Sequence, residues 1–223
     1  MIPGIVKKSF YLLLKYPMKF NGWFYKNFKC PQNGLKVHLG PGQSNYINGW
    51  INVDANFITA KVDLWSNLLD PLPFRNESVD IFYSHHVVEH LPDSHLIFHF
   101  QQMFQALRPG GGIRIGAPHM GNACHKYIQG DDTWFSDFPD SRKSIGGRFM
   151  NHIFCRGEHL TALDQSYLAE IAEQCGFVDI SFPLPVKETN LTELGINEVV
   201  LSKEYESDFA FPHTVILEAK KPQ

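Results

Sequence analysis

Leu35-Lys-Val-His-Leu-Gly-Pro-Gly-Gln-Ser-Asn-Tyr-Ile-Asn-Gly-Trp-Ile-Asn-Val-Asp54 is the stretch on which the fold turns. The apolar run Leu35, Val37 and Leu39 reads as a buried strand that ends in a tight turn, Gly40, Pro41 and Gly42. A second run, Trp50 to Val53, ends in a carboxylate, Asp54. Glycine lacks the Cβ that bars sharp turns, so backbone N–H groups there can approach a ligand closely. A carboxylate at the tip of the neighbouring strand can accept both hydroxyls of a ribose. Together they read as a nucleoside-binding edge, with a purely structural turn as the plainer alternative.

Outward from this stretch, strands and helices alternate as a doubly wound parallel sheet requires. Strands are expected at 35–39, 50–53, 60–63, 79–84, 112–117 and 177–182, with a last strand at 214–219. A helix at 94–107 carries Leu96, Phe100, Met103, Phe104 and Leu107 at helical spacing, and His95 and His99 fall on its solvated face. A second helix, 164–175, starts from Asp164 as cap and stops at Gly176. Two connectors, 119–158 and 183–210, are long enough to be functional. The first leaves the carboxyl end of a strand, where open α/β sheets bind ligands, and is the expected substrate lid.

Four elements recur in order: the glycine turn with Asp54; Val62-Asp63-Leu64; Asp70-Pro-Leu-Pro-Phe74; and Glu77 to Leu91 followed by Leu107-Arg-Pro-Gly-Gly-Gly-Ile-Arg-Ile115. This series resembles class I S-adenosylmethionine-dependent methyltransferases over roughly residues 35–182. It is most similar to the small-molecule branch of the ubiquinone/menaquinone-biosynthesis type and to relatives in polysaccharide biosynthesis. The resemblance implies a Rossmann-like, mostly parallel seven-stranded α/β sheet with an antiparallel last strand. It implies residues 31–223 as one domain behind a basic, aromatic segment at 1–30. S-adenosylmethionine is the implied cofactor, held by Gly40, Pro41, Gly42, Asp54, Asp63, Leu64, Ser84 and His85. Asp54 would take the ribose, Asp63 the adenine amino group and Leu64 the adenine ring, with Ser84 and His85 beside the methionine part. The chain departs from the family where the Leu39–Trp50 connection leaves room for a helical turn at most. Asn45 stands where a third glycine would be, so the N–H groups of residues 40–45 replace a helix N-terminus.

A hydroxyl acceptor would call for a base, and histidine suits neutral pH. His85 and His119 are the candidates, against the plainer reading of hydrogen-bonded structural histidines. His159, Trp134, Arg142 and Arg148 are candidate substrate contacts, since aromatic faces and guanidiniums suit a sugar or nucleotide sugar bearing an acidic group. His86, Glu89 and His90 share a short segment, but the order is not His-Glu-x-x-His and spacing nominates no third ligand, so no metal site is expected. The stretch reads instead as the start of the helix after the fourth strand.

The net charge of −3 argues against nucleic-acid binding, and 43% hydrophobic content supports a full core. Cys30, Cys124, Cys155 and Cys175 have no Cys-x-x-Cys spacing. A cytoplasmic protein is expected, with no membrane span and no signal peptide. Every charged residue before Asp54 is a lysine, and large apolar residues interleave with them. That pattern suits either peripheral contact with the inner membrane face or a helix packed on the domain. Pro17 and Gly22 are expected to break the segment. Two other functions share these features: a cofactor-binding scaffold without catalysis, and a nicotinamide-dependent oxidoreductase. The latter needs a Tyr-x-x-x-Lys pair after the nucleotide half, whereas Tyr11/Lys15 and Tyr25/Lys29 both precede the glycine turn.

Overall fold

The computed structural model describes the backbone of residues 4–223 and side chains from residue 12 onward. Tyr11, Lys7, Lys8 and Phe10 therefore have side chains outside the described residues. The helix α1 (Gly4–Phe24) is followed by a π-turn over Tyr25–Lys29. Then come β1 (Leu35–Leu39), β2 (Ile51–Asp54), β3 (Leu64–Trp65), β4 (Val79–His85), α2 (Asp93–Ala106) and β5 (Leu107–Pro118). The remainder is α3 (Met120–Gln129), α4 (Ile145–Phe154), α5 (Gln165–Gln174), β6 (Val178–Ser181), α6 (Glu198–Leu201) and β7 (Thr214–Lys220). The seven strands form one sheet in the order β3-β2-β1-β4-β5-β7-β6. Strands β1 to β5 pair in parallel, and β7 runs antiparallel to both β5 and β6. This is the Rossmann-like α/β architecture the sequence implies.

Successive side chains of a strand point to opposite faces, so each face needs its own cover. On one face, Phe82, Leu39 and Ile115 join Leu96, Phe100 and Met103 of α2 and Leu168 and Ile171 of α5. On the other, Ile81 and Tyr83 meet Ile47, Trp50, Leu191, Leu194, Ile196 and Val200. No helix stands between β1 and β2, and the excursion after β6 packs in its stead. That 183–210 connector contains a short 3-10 turn and α6, and the 119–158 connector contains α3 and α4. Neither is a bare loop.

The structure corrects four expectations. The strand placed at 60–63 forms at Leu64–Trp65, because Val53 and Asp54 pair with those residues. Asp63 therefore precedes β3 rather than ending it. Residues 88–90 form a single 3-10 turn, and α2 begins only at Asp93, after Pro92. His99 is buried at 1% exposure, not solvated, and burial pushes its pKa down to about 4. Finally, α1 runs unbroken through Pro17 and Gly22. Met18 is buried, Asn21 Nδ2 donates to the Trp65 carbonyl at 2.8 Å, and Gly22 lies against Pro73. These contacts with the sheet edge offset the lost helical hydrogen bond. Among the described residues no helix is long and apolar enough to cross a membrane.

Candidate active site

The glycine turn sits at the carboxyl end of β1. Gly40 has φ 69° and Gly42 φ 55°, in the left-handed region where glycine is at no disadvantage. A Cβ on Gly40 would overlap Val87, whereas one on Gly42 would meet open space. Gly40 N–H donates to the Val53 carbonyl at 2.8 Å, which joins the turn to β2. Asp54 ends β2, and its Oδ2 accepts from Gly42 N–H at 3.2 Å while Oδ1 accepts from Asn56 N–H at 2.8 Å. Two backbone donors thus fix this half-buried carboxylate and leave lone pairs on both oxygens. Gly42 leaves open space beside that carboxylate.

Asp63 immediately precedes β3 and Leu64 begins it. Asp63 Oδ2 accepts from Asn52 N–H and Nδ2, each at 2.9 Å, and Oδ1 from Tyr46 Oη at 2.8 Å. Its carboxylate braces the start of β2. Leu64 is 2% exposed within the core.

A cavity of about 1100 Å³ opens beyond the carboxyl ends of β4 and β5. Asn45 of the glycine turn lines it, as do His85, His86, His90, His152, His159 and His213. Ser84 and His85 close β4. The Ser84 hydroxyl is buried without a partner, as is His85 Nδ1. Burial, helped by His86 and Arg114, holds His85 well below the usual imidazole range, so the ring is neutral at pH 7. Burial and neighbouring imidazoles push His152 down to about 3. His213 goes the other way: burial lowers it, but Glu206 Oε1 at 2.7 Å and the Trp134 carbonyl outweigh that.

Trp134 and His159 also line the cavity, as do Phe135 and Phe138. Arg142 and Arg148 do not. Arg142 pairs with Asp140, and Arg148 donates to the Arg142 and Phe135 carbonyls and pairs with Asp137. They brace the lid. Lys203 and Arg156 stand on the cavity wall, and Arg156 is itself paired with Asp140. His119 is not on the wall. Its Nδ1 accepts from Asn122 N–H at 3.2 Å and caps α3. In a neutral ring that leaves the hydrogen on Nε2, so no lone pair remains for a base. His119 is a structural cap.

Residues 41–115, about a third of the chain, match the family model of a methyltransferase domain. No curated protein matches the chain. Among solved structures, a SAM-dependent methyltransferase from Archaeoglobus fulgidus is similar at 17% identity, with TM-score 0.51 and coverage of 94% of this chain and 93% of that one. A SAM-dependent methyltransferase from Thermotoga maritima, described as a possible histamine N-methyltransferase, is 14% identical with TM-score 0.51, covering 98% and 96%. A phosphoethanolamine N-methyltransferase 2 from Haemonchus contortus, bound to phosphomonomethylethanolamine and S-adenosylhomocysteine, is 16% identical with TM-score 0.51. This chain covers 53% of that protein's length, and 92% of this chain is covered. The chain thus shares the fold of these proteins over nearly its full length, and residues 41–115 resemble a methyltransferase domain in sequence.

Proposed function

We propose that this protein is an S-adenosylmethionine-dependent methyltransferase acting on a small-molecule acceptor in the His-lined cavity. The observation that carries this reading is Asp54, fixed by two backbone donors beside the open glycine turn, inside the stretch that matches a methyltransferase domain. Gly40, Pro41, Gly42 and Asp54 hold the nucleoside part of the cofactor, with Ser84 and His85 beside its methionine part. The cofactor supplies a methyl group on a sulfonium, open to in-line displacement. A neutral His85 adds no like charge beside that sulfonium and is the imidazole best placed to take a proton from an acceptor hydroxyl. The cavity holds the acceptor in place, and positioning of this kind supplies much of a barrier reduction. Aromatic walls with Arg156 and Lys203 suit an oxygen-rich acceptor, for which a sugar or nucleotide sugar is our assignment. The exposed apolar face of α1 is assigned to the surface of an anionic membrane. The oxidoreductase alternative has no support at the site. Tyr25 packs on Phe74, and neither Tyr25 nor Lys29 lines the cavity.

Calorimetric titration tests this reading. S-adenosylmethionine and S-adenosylhomocysteine should bind, and NAD(H) should not. Asp54→Ala should weaken cofactor binding by about 10–100-fold, the worth of a charge-assisted pair of hydrogen bonds, while the chain still folds cooperatively, with a melting temperature lowered only by the loss of the bonds from Gly42 and Asn56 N–H. A variant that binds as tightly as wild type would remove Asp54 from the ribose. Cofactor binding without turnover on any acceptor would leave the scaffold function instead.

A further inference from the structure

Glu89 is 1% exposed, and the one close polar side-chain neighbour of its carboxylate is His86, whose Nδ1 stands 3.4 Å from Oε1, long for a hydrogen bond. A buried carboxylate costs several kcal/mol unless it is paired or coordinates a metal. Its surroundings are imidazoles. Around its Oε1 stand His86 Nδ1 at 3.4 Å, His90 Nε2 at 3.9 Å and His159 Nε2 at 3.9 Å. The orientation of two of these rings is fixed from behind. His90 Nδ1 lies 2.8 Å from the Glu158 carbonyl and His159 Nδ1 lies 3.1 Å from the Ile153 carbonyl. A carbonyl oxygen only accepts, so both Nδ1 atoms carry hydrogen, and in the neutral rings both Nε2 lone pairs are left unprotonated. Two lone pairs and a carboxylate oxygen thus meet within 4.8 Å of one another. Backbone bonds clamp the two segments together: Leu160 N–H and Thr161 N–H both donate to the Glu89 carbonyl, at 2.7 and 3.1 Å.

Three acceptors facing one another repel unless a metal cation or a proton is held between them. We propose that Glu89, His90 and His159 bind a divalent first-row transition cation, Zn²⁺ by ligand type, on the wall of the cavity. Two imidazoles and a carboxylate are a known ligand set for such ions, and Nδ1 hydrogen bonds to carbonyls are the usual outer support. Bonds of about 2.0–2.1 Å space tetrahedral donors by about 3.4 Å, so each pair of donors closes by about 1.4 Å or less on loading. All three residues line the cavity, which leaves a coordination position open to it. His86, whose Nε2 lies 3.1 Å from Thr214 Oγ1, is the neighbour able to contact a group bound there. That the open position takes an oxygen of the methyl acceptor rests on the function proposed above. The cation site itself does not.

The test is titration of the chelator-treated full chain with Zn²⁺ by calorimetry and with Co²⁺ by visible absorption, in the absence of cofactor and acceptor. The expected result is one tight equivalent per chain, no comparable binding of Mg²⁺, and d–d bands of a low-coordinate Co²⁺ site. Glu89→Gln, His159→Ala and the more exposed His90→Ala should each weaken Zn²⁺ by at least about 100-fold, the upper end of what losing even an outer partner costs. S-adenosylhomocysteine should still bind these variants, which separates failure at this site from failure of the cofactor site. No stoichiometric Zn²⁺, or Zn²⁺ binding unchanged in folded His90→Ala, would overturn the proposal. Zn²⁺ binding intact in a chain that binds no S-adenosylhomocysteine would overturn the proposed function and leave the metal site standing.

Discussion

An imidazole nitrogen that caps a helix cannot also abstract a proton, and this separates His119 from His85. Capping is worth about 0.5–2 kcal/mol when the cap residue is replaced by alanine, and asparagine is among the best caps. His119→Ala should therefore lower stability by about 1 kcal/mol in denaturant unfolding, whereas His119→Asn should restore it. Both should keep the wild-type kcat for methyl transfer. A kcat collapse in the stable Asn variant would return His119 to the chemistry. Sequence could not distinguish these roles, because both place a histidine just after a strand. It did isolate the residues whose role is local, Gly40, Gly42 and Asp54, because a turn and a strand tip are adjacent in the chain. It weighed His86, Glu89 and His90 as metal ligands and expected no metal there, because spacing nominated no third ligand. His159 comes near Glu89 only through the lid and the bonds from Leu160 and Thr161 to the Glu89 carbonyl.

Elements were legible wherever one periodicity ran without interruption. The buried strands β1, β4 and β7 and the helices α2 and α5 match the expected spans to within a few residues. The failures have a common cause, tertiary contact overriding a local signal. β3 is two residues long and is defined by its pairing with β2, not by an apolar run. In α1, Pro17 costs about 3 kcal/mol by itself, which burial of Met18 and the contacts of Asn21 and Gly22 can offset. The opposite face of α1 remains bare. Tyr16 is 77% exposed, Phe20 64% and Trp23 55%, and Phe28 of the π-turn is 65% exposed. Phe20 stacks on Trp23, and Phe24 packs on Phe28. Lys15 and Lys29 flank this face, each worth about 1 kcal/mol at an anionic surface. The full chain should therefore co-sediment with vesicles containing phosphatidylglycerol, less so at high salt, and not with pure phosphatidylcholine. The triple change Phe20→Ser, Trp23→Ser and Phe28→Ser should abolish sedimentation while leaving the thermal transition in place. A wild-type chain that ignores anionic vesicles would refute the membrane assignment.

At the scale of the whole molecule, one buried ion cluster ties the second sheet face to the cavity wall. Arg114 on β5 is fully buried and pairs across the sheet with Glu218 of β7. Its Nη1 donates to Glu218 Oε1 at 2.5 Å, and its Nε and Nη2 donate to Glu204 Oε1 and Oε2 at 2.7 and 2.8 Å. The same carboxylates gather the excursion after β6. Glu204 Oε2 accepts from Val186 N–H at 2.7 Å, and Glu218 accepts from Thr189 Oγ1 and Asn190 N–H at 2.6 and 2.7 Å. The segment so fastened carries Lys203 and Tyr205 to the cavity. Cutting one member of a buried cluster strands the others as unpaired charges, at about 3–5 kcal/mol, whereas replacing the cluster by neutral groups costs far less. Arg114→Met should therefore destabilise by about 3–5 kcal/mol, and Arg114→Met with Glu204→Gln and Glu218→Gln should recover most of that loss. Urea unfolding of the three proteins measures it. For a chain of this size each kcal/mol moves the melting temperature by about 2–4 °C, so the single variant should melt at least about 6 °C lower. A loss below about 1 kcal/mol for Arg114→Met would mean that the excursion is held by its apolar contacts with Ile81 and Tyr83, and that the cluster is not what fixes the cavity wall.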